Sequence, residues 1–399
     1  MTETSREATI VKSPSGYMYF PGYFADSRSR PMVRTLGYIV KGVPAYEHPS
    51  YCRFDIIDRA LKSNSVSSIV DTSVISYQMC EDHGKQFTGM IFSCPIPENA
   101  DLNDFRLVFD FGGLNATSDP LKIDRIIPSG NLSGSVREGN NPLFSGGGYY
   151  YNFTICIHTP LYGDRYDGKS AADFLELNRI LGADHFIFYA PREYWNGRRG
   201  MRKVFDYYGA RNLLTLIDFD MTLSTEEVWY NGQLLVIQDC LFRTMGRSKF
   251  VIFQDLDEIL VPKIPNVSTF SELTDSVWNV EKDSGLKIPS LRFPVPLDPE
   301  WPLAFNYYRH DRRVDRKLTK VGAHKACLVR PERIFEMGVH HISKQFVEEM
   351  VPRLLFRGAR FHHYTPSRRK GMEEDRSLDR YYRAFVTAVQ KFRTELRDL

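Results

Sequence analysis

Between residues 153 and 262 short apolar runs alternate with amphipathic stretches, and this alternation limits the possible folds more than any other feature of the chain. Phe153 to Ile157 is an unbroken apolar run of the kind buried on both faces of a parallel sheet. A loop follows, then Ser170 to Leu181, where Phe174, Leu177 and Leu181 recur at helical steps, Ser170 can cap and Gly182 stands where a helix stops. His185 to Tyr189 reads as the next strand, Met201 to Tyr208 as a short helix ending at Gly209, and Leu213 to Ile217 as a third strand. Leu234, Ile237, Leu241 and Met245 mark a further buried helical stripe before Phe250 to Phe253, a fourth strand. The pattern predicts an α/β fold, a mostly parallel Rossmann-like sheet covered by helices on both faces, with ligands bound at the carboxyl ends of its strands.

Upstream, Ser68 to Tyr77, Gly89 to Ser93 and Phe105 to Phe111 read as strands separated by polar turns, without a long amphipathic helix. The glycine-rich Ser145 to Gly148 marks the expected boundary, giving a small mostly-β, stem-like unit over 1–148 and an α/β unit over 149–370. Residues 265 to 365 read as irregular, and Tyr382, Phe385, Val389, Phe392 and Leu396 predict a carboxyl-terminal helix over 371–399 that packs on the core.

The formal charge of +3 is the difference between 52 basic and 49 acidic residues, so no whole-chain field favours nucleic acid or a membrane surface. The six cysteines lack zinc-ligand spacing, while sequons at Asn115, Asn131, Asn152 and Asn266 suit a lumenal chain with some disulfides. Met1 to Ser13 has no apolar core and no run approaches eighteen apolar residues, so neither signal peptide nor membrane anchor is expected within this sequence. Composition leaves lumenal, secreted and cytosolic locations open.

The chemistry concentrates at Asp255-Leu256-Asp257-Glu258, directly after the fourth strand. Two carboxylates at a ligand-binding sheet edge call for a hard divalent cation, Mn²⁺ or Mg²⁺; the bland alternative is that they cap a following turn or helix. A strand followed by Asp-x-Asp also opens haloacid-dehalogenase-type phosphatases, but Ile259 stands where that family places Thr or Val, and three β-α units precede the motif.

The segment from Thr154 to Pro262 resembles glycosyltransferase family 92, a group with the GT-A fold formerly described as a domain of unknown function. The resemblance rests on Cys156 to Gly163, Glu176 to Phe186, Asn231-Gly232-Gln233 leading to Gln238 to Leu241, and Gly246 to Phe250 running into Phe253 to Glu258. Leu328 to Arg333, Met337 to His341 and His362 to Tyr364 extend it to about residue 365. It implies a transferase that moves a hexose, typically galactose from UDP-galactose, onto a glycan acceptor on glycoprotein or glycolipid, with Mn²⁺ at the Asp-x-Asp motif in the Golgi lumen. Family members are usually anchored by a transmembrane segment that this sequence does not contain.

On that basis Asp257 is the expected direct metal ligand, Asp255 contacts the ribose or the ion, and His340 or His363 completes the shell. Lys325 and Arg330 are candidates for the diphosphate, and the strand-end loops carrying His158, Thr159, Pro160, Tyr162 and Tyr189, together with Asp239, for the nucleotide. An inverting transfer needs a base to take the acceptor proton; Glu332 is the candidate, with Glu226, Glu227 and Glu336 open beside it. A glycan-binding module that has lost activity is the competing reading of the same fold, against which the intact Asp-x-Asp stands.

Overall fold

The computed structural model describes residues 18–26, 28–43, 50–57, 66–98, 105–111, 116–117, 123–127, 149–163, 166–295, 313–314, 325–366 and 373–397. Asn115, Asn131 and the glycine-rich 145–148 lie outside the described residues. The chain forms two compact units, one built from 149–220 and 247–399 and the other from 6–148 and 221–246.

Among the described residues the second of these carries nine strands: β1 (Met18–Asp26), β2 (Met32–Val40), β3 (Tyr51–Ile57), β4 (Val66–Ser73), β5 (Ile75–Gln78), β6 (Phe87–Pro95), β7 (Phe105–Phe111), β8 (Ala116–Thr117) and β9 (Ile123–Ile127). They form a five-stranded sheet in the order β5-β6-β2-β1-β9 and a four-stranded one in the order β4-β3-β7-β8. The Cys52–Cys94 disulfide, with Cα atoms 6.0 Å apart, joins β3 of one sheet to β6 of the other. Asp26, at the end of β1, is buried and accepts from Arg28 at 2.9 Å and from Arg34 at 2.7 Å.

In the other unit, β10 (Tyr151–Ile157), α1 (Gly168–Leu181), β11 (His185–Ala190), α2 (Arg192–Asn196), α3 (Arg199–Gly209) and β12 (Leu214–Asp218) follow the expected alternation. α4 (Gln233–Thr244) then packs on β1 and β2 within the β-rich unit, and β13 (Ser248–Gln254) returns beside β10. α1 begins two residues earlier than its sequence suggests, because the Asp167 side chain and not Ser170 caps it, accepting from the Ser170 amide at 2.7 Å. It stops at Gly182, whose φ of 108° is a left-handed conformation open to glycine.

Where the segment expected to be irregular, 265–365, is described, it is built largely of strands. β14 (Glu258–Pro262), α5 (Phe270–Val277), β15 (Asp283–Val295), β16 (Arg313–Val314), β17 (Lys325–Val329), β18 (Ile334–Met337), β19 (Ile342–Gln345), β20 (Val351–Leu354) and β21 (Ala359–Pro366) follow in chain order. The large sheet runs β12-β11-β10-β13-β17-β15-β21-β14, with β20 also on β15; β10 to β13 are parallel, and β17 is antiparallel to β13. Prolines, arginines and histidines had hidden these strands, whose pairing partners lie far away in sequence.

After β22 (Glu373–Glu374), α6 (Tyr382–Arg397) docks on α1, burying Phe385, Val389 and Phe392. Tyr382 is exposed, so it stands outside the stripe the sequence suggested. Phe392 packs on Tyr207 and Tyr208 of α3, with ring centroids 5.0 and 5.5 Å away. No helix among the described residues is long and apolar enough to cross a membrane.

Candidate active site

The carboxyl end of β13 delivers Gln254, and the chain then turns tightly instead of entering a helix. The Glu258 amide donates to the Asp255 carbonyl at 3.1 Å, and the Asp255 amide donates back to Glu258 Oε2 at 3.3 Å. The acidic residues therefore occupy a turn that opens directly into β14. Behind it, Gln254 Nε2 donates to Asn178 Oδ1 at 3.0 Å, and Asn178 Nδ2 to the Phe174 carbonyl at 2.9 Å, tying the strand end to α1 in the interior.

Two histidines reach this turn from different directions. β14 pairs antiparallel with β21 so that Glu258 faces His363, and the Tyr364 amide donates to the Asp257 carbonyl at 2.8 Å. His363 Nε2 lies 3.7 Å from Asp257 Oδ2, and its Nδ1 3.8 Å from Glu258 Oε1. Alternation along β21 sends the adjacent His362 to the other face, where it is buried against Phe293 at 4.3 Å. From β10, the buried His158 places Nε2 3.2 Å from Asp255 Oδ2. The His340 ring stands edge-on to His158 at 6.3 Å.

Burial and the neighbouring charges shift the protonation of Glu258, His363 and His158. Burial pushes the Glu258 carboxyl up, His363 opposes that rise and Asp255 adds to it. Burial works against the His363 imidazolium, but the Asp257 hydrogen bond and the charges of Glu258, Asp257 and Asp255 outweigh it and raise the group to about 9. His158 is likewise raised, because Asp255, Glu258 and Asp257 together overcome its burial. Among the described residues no three histidine, cysteine or carboxylate side chains form a metal cage by themselves. Yet carboxylate oxygens crowded at the end of a sheet, with imidazole beside them, are the donor types that Mn²⁺ or Mg²⁺ takes when a substrate supplies further oxygens, so the residues fit such an ion.

The loops beside the turn are knitted together. The Leu161 amide donates to the Tyr189 carbonyl at 2.8 Å, the Phe219 amide to the Ala190 carbonyl at 3.1 Å, and the Tyr162 hydroxyl to the Phe219 carbonyl at 3.4 Å. Thr159 and Tyr162 are half-buried, Pro160 is buried, and Tyr189 is fully buried with its ring against Phe219. Arg192 Nε meets Asp218 Oδ2 at 2.5 Å at the same end of β11 and β12.

The sequence matches the family model for glycosyltransferase family 92 over residues 151–396, which includes every element of this site. The chain belongs to glycosyltransferase family 92. It is 28% identical over 275 residues to a beta-1,4-galactosyltransferase of Caenorhabditis elegans, covering 68% of this chain and 59% of the relative. It is 24% identical over 323 residues to a galactan beta-1,4-galactosyltransferase of Arabidopsis thaliana, covering 76% of this chain and again 59% of the relative. The chain thus spans about three-fifths of the length of these relatives.

Of the residues singled out in the sequence of this family 92 chain, Asp255, Asp257, His158, His340 and His363 come together. Lys325 begins β17 at the same sheet end, while its side chain lies outside the described residues. Arg330 and Glu332 do not join them. Because β17 runs antiparallel to β13, with Val329 opposite Val251, the chain leaves the sheet at the end away from the acidic turn. There Arg330 Nη2 donates to the Tyr149 hydroxyl at 2.6 Å and lies over the Phe250 ring, and Glu332 acts electrostatically on Tyr149 and Arg333. Asp239 is buried on α4 in the β-rich unit, accepting from Arg243 on the same helix at 2.5 Å. Glu227 also belongs to that unit and accepts from the Ser224 amide and hydroxyl, each at 2.9 Å; Glu336 is fully buried in β18. Sequence reasoning passed over Glu258 as a site residue, although it is part of the tetrad, and over the Asn178–Gln254 bond that braces the turn.

Proposed function

We propose that this chain transfers a hexose, galactose from UDP-galactose, to a glycan acceptor, using Mn²⁺ or Mg²⁺ held at Asp255 and Asp257. The observation that carries this reading is the convergence of Asp255, Asp257 and Glu258 with His158 and His363 on one turn at the carboxyl end of β13. The names of the two relatives support galactose as the sugar.

Asp257 is the direct ligand, with Asp255 toward the ribose or the ion and His340 completing the shell, while His363 stands behind Asp257 and orients it. The cation, when bound, supplies positive charge that makes the diphosphate a better leaving group. His158 holds Asp255 in place and His363 holds Asp257, so the carboxylates keep their orientation while substrate binds. The loops after β10 and β11, fixed by the Leu161 and Phe219 amides, are suited to hold the nucleotide. In the transfer the bond from the anomeric carbon to the diphosphate oxygen breaks, UDP keeps the electron pair, and the acceptor oxygen bonds to that carbon as its proton passes to a base. The distance of Glu332 from the turn removes its support for that role. The Cys52–Cys94 disulfide favours an oxidising compartment, and we place the protein in the Golgi lumen.

The test is a panel of UDP-sugars offered with β-galactoside acceptors, with the product's linkage analysed. Galactose transfer above all other donors supports the reading; preference for another sugar replaces the donor, and no transfer from any donor overturns the enzyme.

A further inference from the structure

A pocket of about 700 Å³ opens at the end of the parallel strands opposite the acidic turn. Its wall includes Tyr151 and His185, the first residues of β10 and β11, and Arg247 just before β13. The acidic turn begins where β13 ends, and at ~3.3 Å per residue the six steps from Ser248 to Gln254 put the two sites roughly 20 Å apart. The pocket is therefore distinct from the site already described, and its size is that of a ligand-binding cleft.

Its lining is built for recognition more than for chemistry. Tyr151 and His185 are stacked at 4.4 Å with 14° between their planes. Both imidazole nitrogens are engaged, Nδ1 with the Asn212 carbonyl at 3.1 Å and Nε2 with Thr215 Oγ1 at 2.9 Å, so the buried His185 ring is a fixed backing for the half-buried Tyr151 ring. Half-buried Trp195 adds a second aromatic face. Around these rings stand planar hydrogen-bonding groups. Arg202 donates to Asn196 Oδ1 at 2.7 Å and lies 3.5 Å from Asp206, an arrangement that offsets its charge while leaving exposed donors and acceptors. The half-buried Tyr151 and Trp195 rings can take the C–H side of a sugar ring, and with the polar side chains of Arg202, Asp206 and Asn212 beside them they suit an oligosaccharide.

We propose that this pocket is a second carbohydrate subsite, which holds the distal residues of an extended acceptor whose terminal sugar reaches the acidic turn. Its role as an acceptor subsite rests on the proposed transferase activity, whereas its ability to bind glycan does not. Two readouts separate these. In the first, linear β-1,4-linked galactohexaose is titrated into the protein without donor or metal, followed by isothermal titration calorimetry, for wild type, Trp195→Ala and Arg202→Ala. Binding is expected in wild type, lost in Trp195→Ala, and weakened at least about tenfold in Arg202→Ala. In the second, KM is compared for galactobiose and galactohexaose. Arg202→Ala is expected to raise KM for the hexaose about tenfold, with kcat and the biose KM unchanged. Unaltered hexaose binding in both variants overturns the subsite even if the enzyme turns over. Binding that depends on Trp195 in a protein inactive with every donor keeps the pocket and sinks the transferase reading. Equal effects on biose and hexaose overturn the distal role.

Discussion

His363 stands directly opposite Glu258 in the antiparallel pairing of β14 and β21, and its two ring nitrogens divide between Asp257, at 3.7 Å, and Glu258, at 3.8 Å. One residue from β21 thus faces two acids on the turn that follows β13. Removing it should loosen the carboxylates without unfolding the sheet. His363→Gln is expected to raise the Mn²⁺ concentration needed for half-maximal activity by about 10- to 100-fold, the range found when groups that orient metal ligands are lost. A metal titration of activity checks this; an unchanged midpoint would detach His363 from the metal.

The brace behind the turn is testable by stability alone. Asn178→Leu leaves the buried Gln254 amide without its acceptor, at a cost of about 1–3 kcal/mol. Urea unfolding of the two proteins measures it, and equal midpoints would show that Gln254 has found another acceptor.

Acid should expose a different ion pair. Arg28 and Arg34 overcome the burial of Asp26 and hold its carboxyl well below the usual carboxylate range. A depressed folded value means that the stabilisation is complete above the unfolded carboxylate value, near pH 4, and is lost as pH falls below it toward the folded one. Asp26→Asn should therefore cost about 3–5 kcal/mol at pH 7, as for a buried pair robbed of one partner. The gap between variant and wild type should narrow progressively below pH 4, as unfolding free energies across pH would reveal. A constant gap would mean that the ion pair contributes nothing.

Much of this architecture is legible locally. The apolar runs beginning at Phe153, His185 and Phe250 announce strands, and Phe174, Leu177 and Leu181 followed by Gly182 announce α1, because periodicity and capping act over a few residues. The site is half legible for the same reason. The tetrad's position after a buried strand marks it, but bringing His363 to Asp257 depends on a register joining residues about a hundred positions apart, which no local pattern encodes. Strand direction is equally hidden. Arg330 and Glu332 belong to a motif resembling the family's, yet the antiparallel course of β17 carries them to the far end of the sheet. His362 and His363 are neighbours in sequence, and only the orientation of β21 decides which one meets the acids. The pairing of Cys52 with Cys94 follows from two sheets meeting, which nothing in the sequence around either cysteine encodes.

Whether the acidic turn carries metal-dependent transfer is tested most plainly by UDP release from UDP-galactose by the purified protein with a β-galactoside acceptor, with Mn²⁺ or EDTA, for wild type and Asp257→Ala. Turnover in wild type is expected to require Mn²⁺ and to fall by at least about a hundredfold in the variant, as when charge stabilisation at a leaving group is removed. Undiminished release by Asp257→Ala, or by wild type in EDTA, would show that the acidic turn does not hold a catalytic ion.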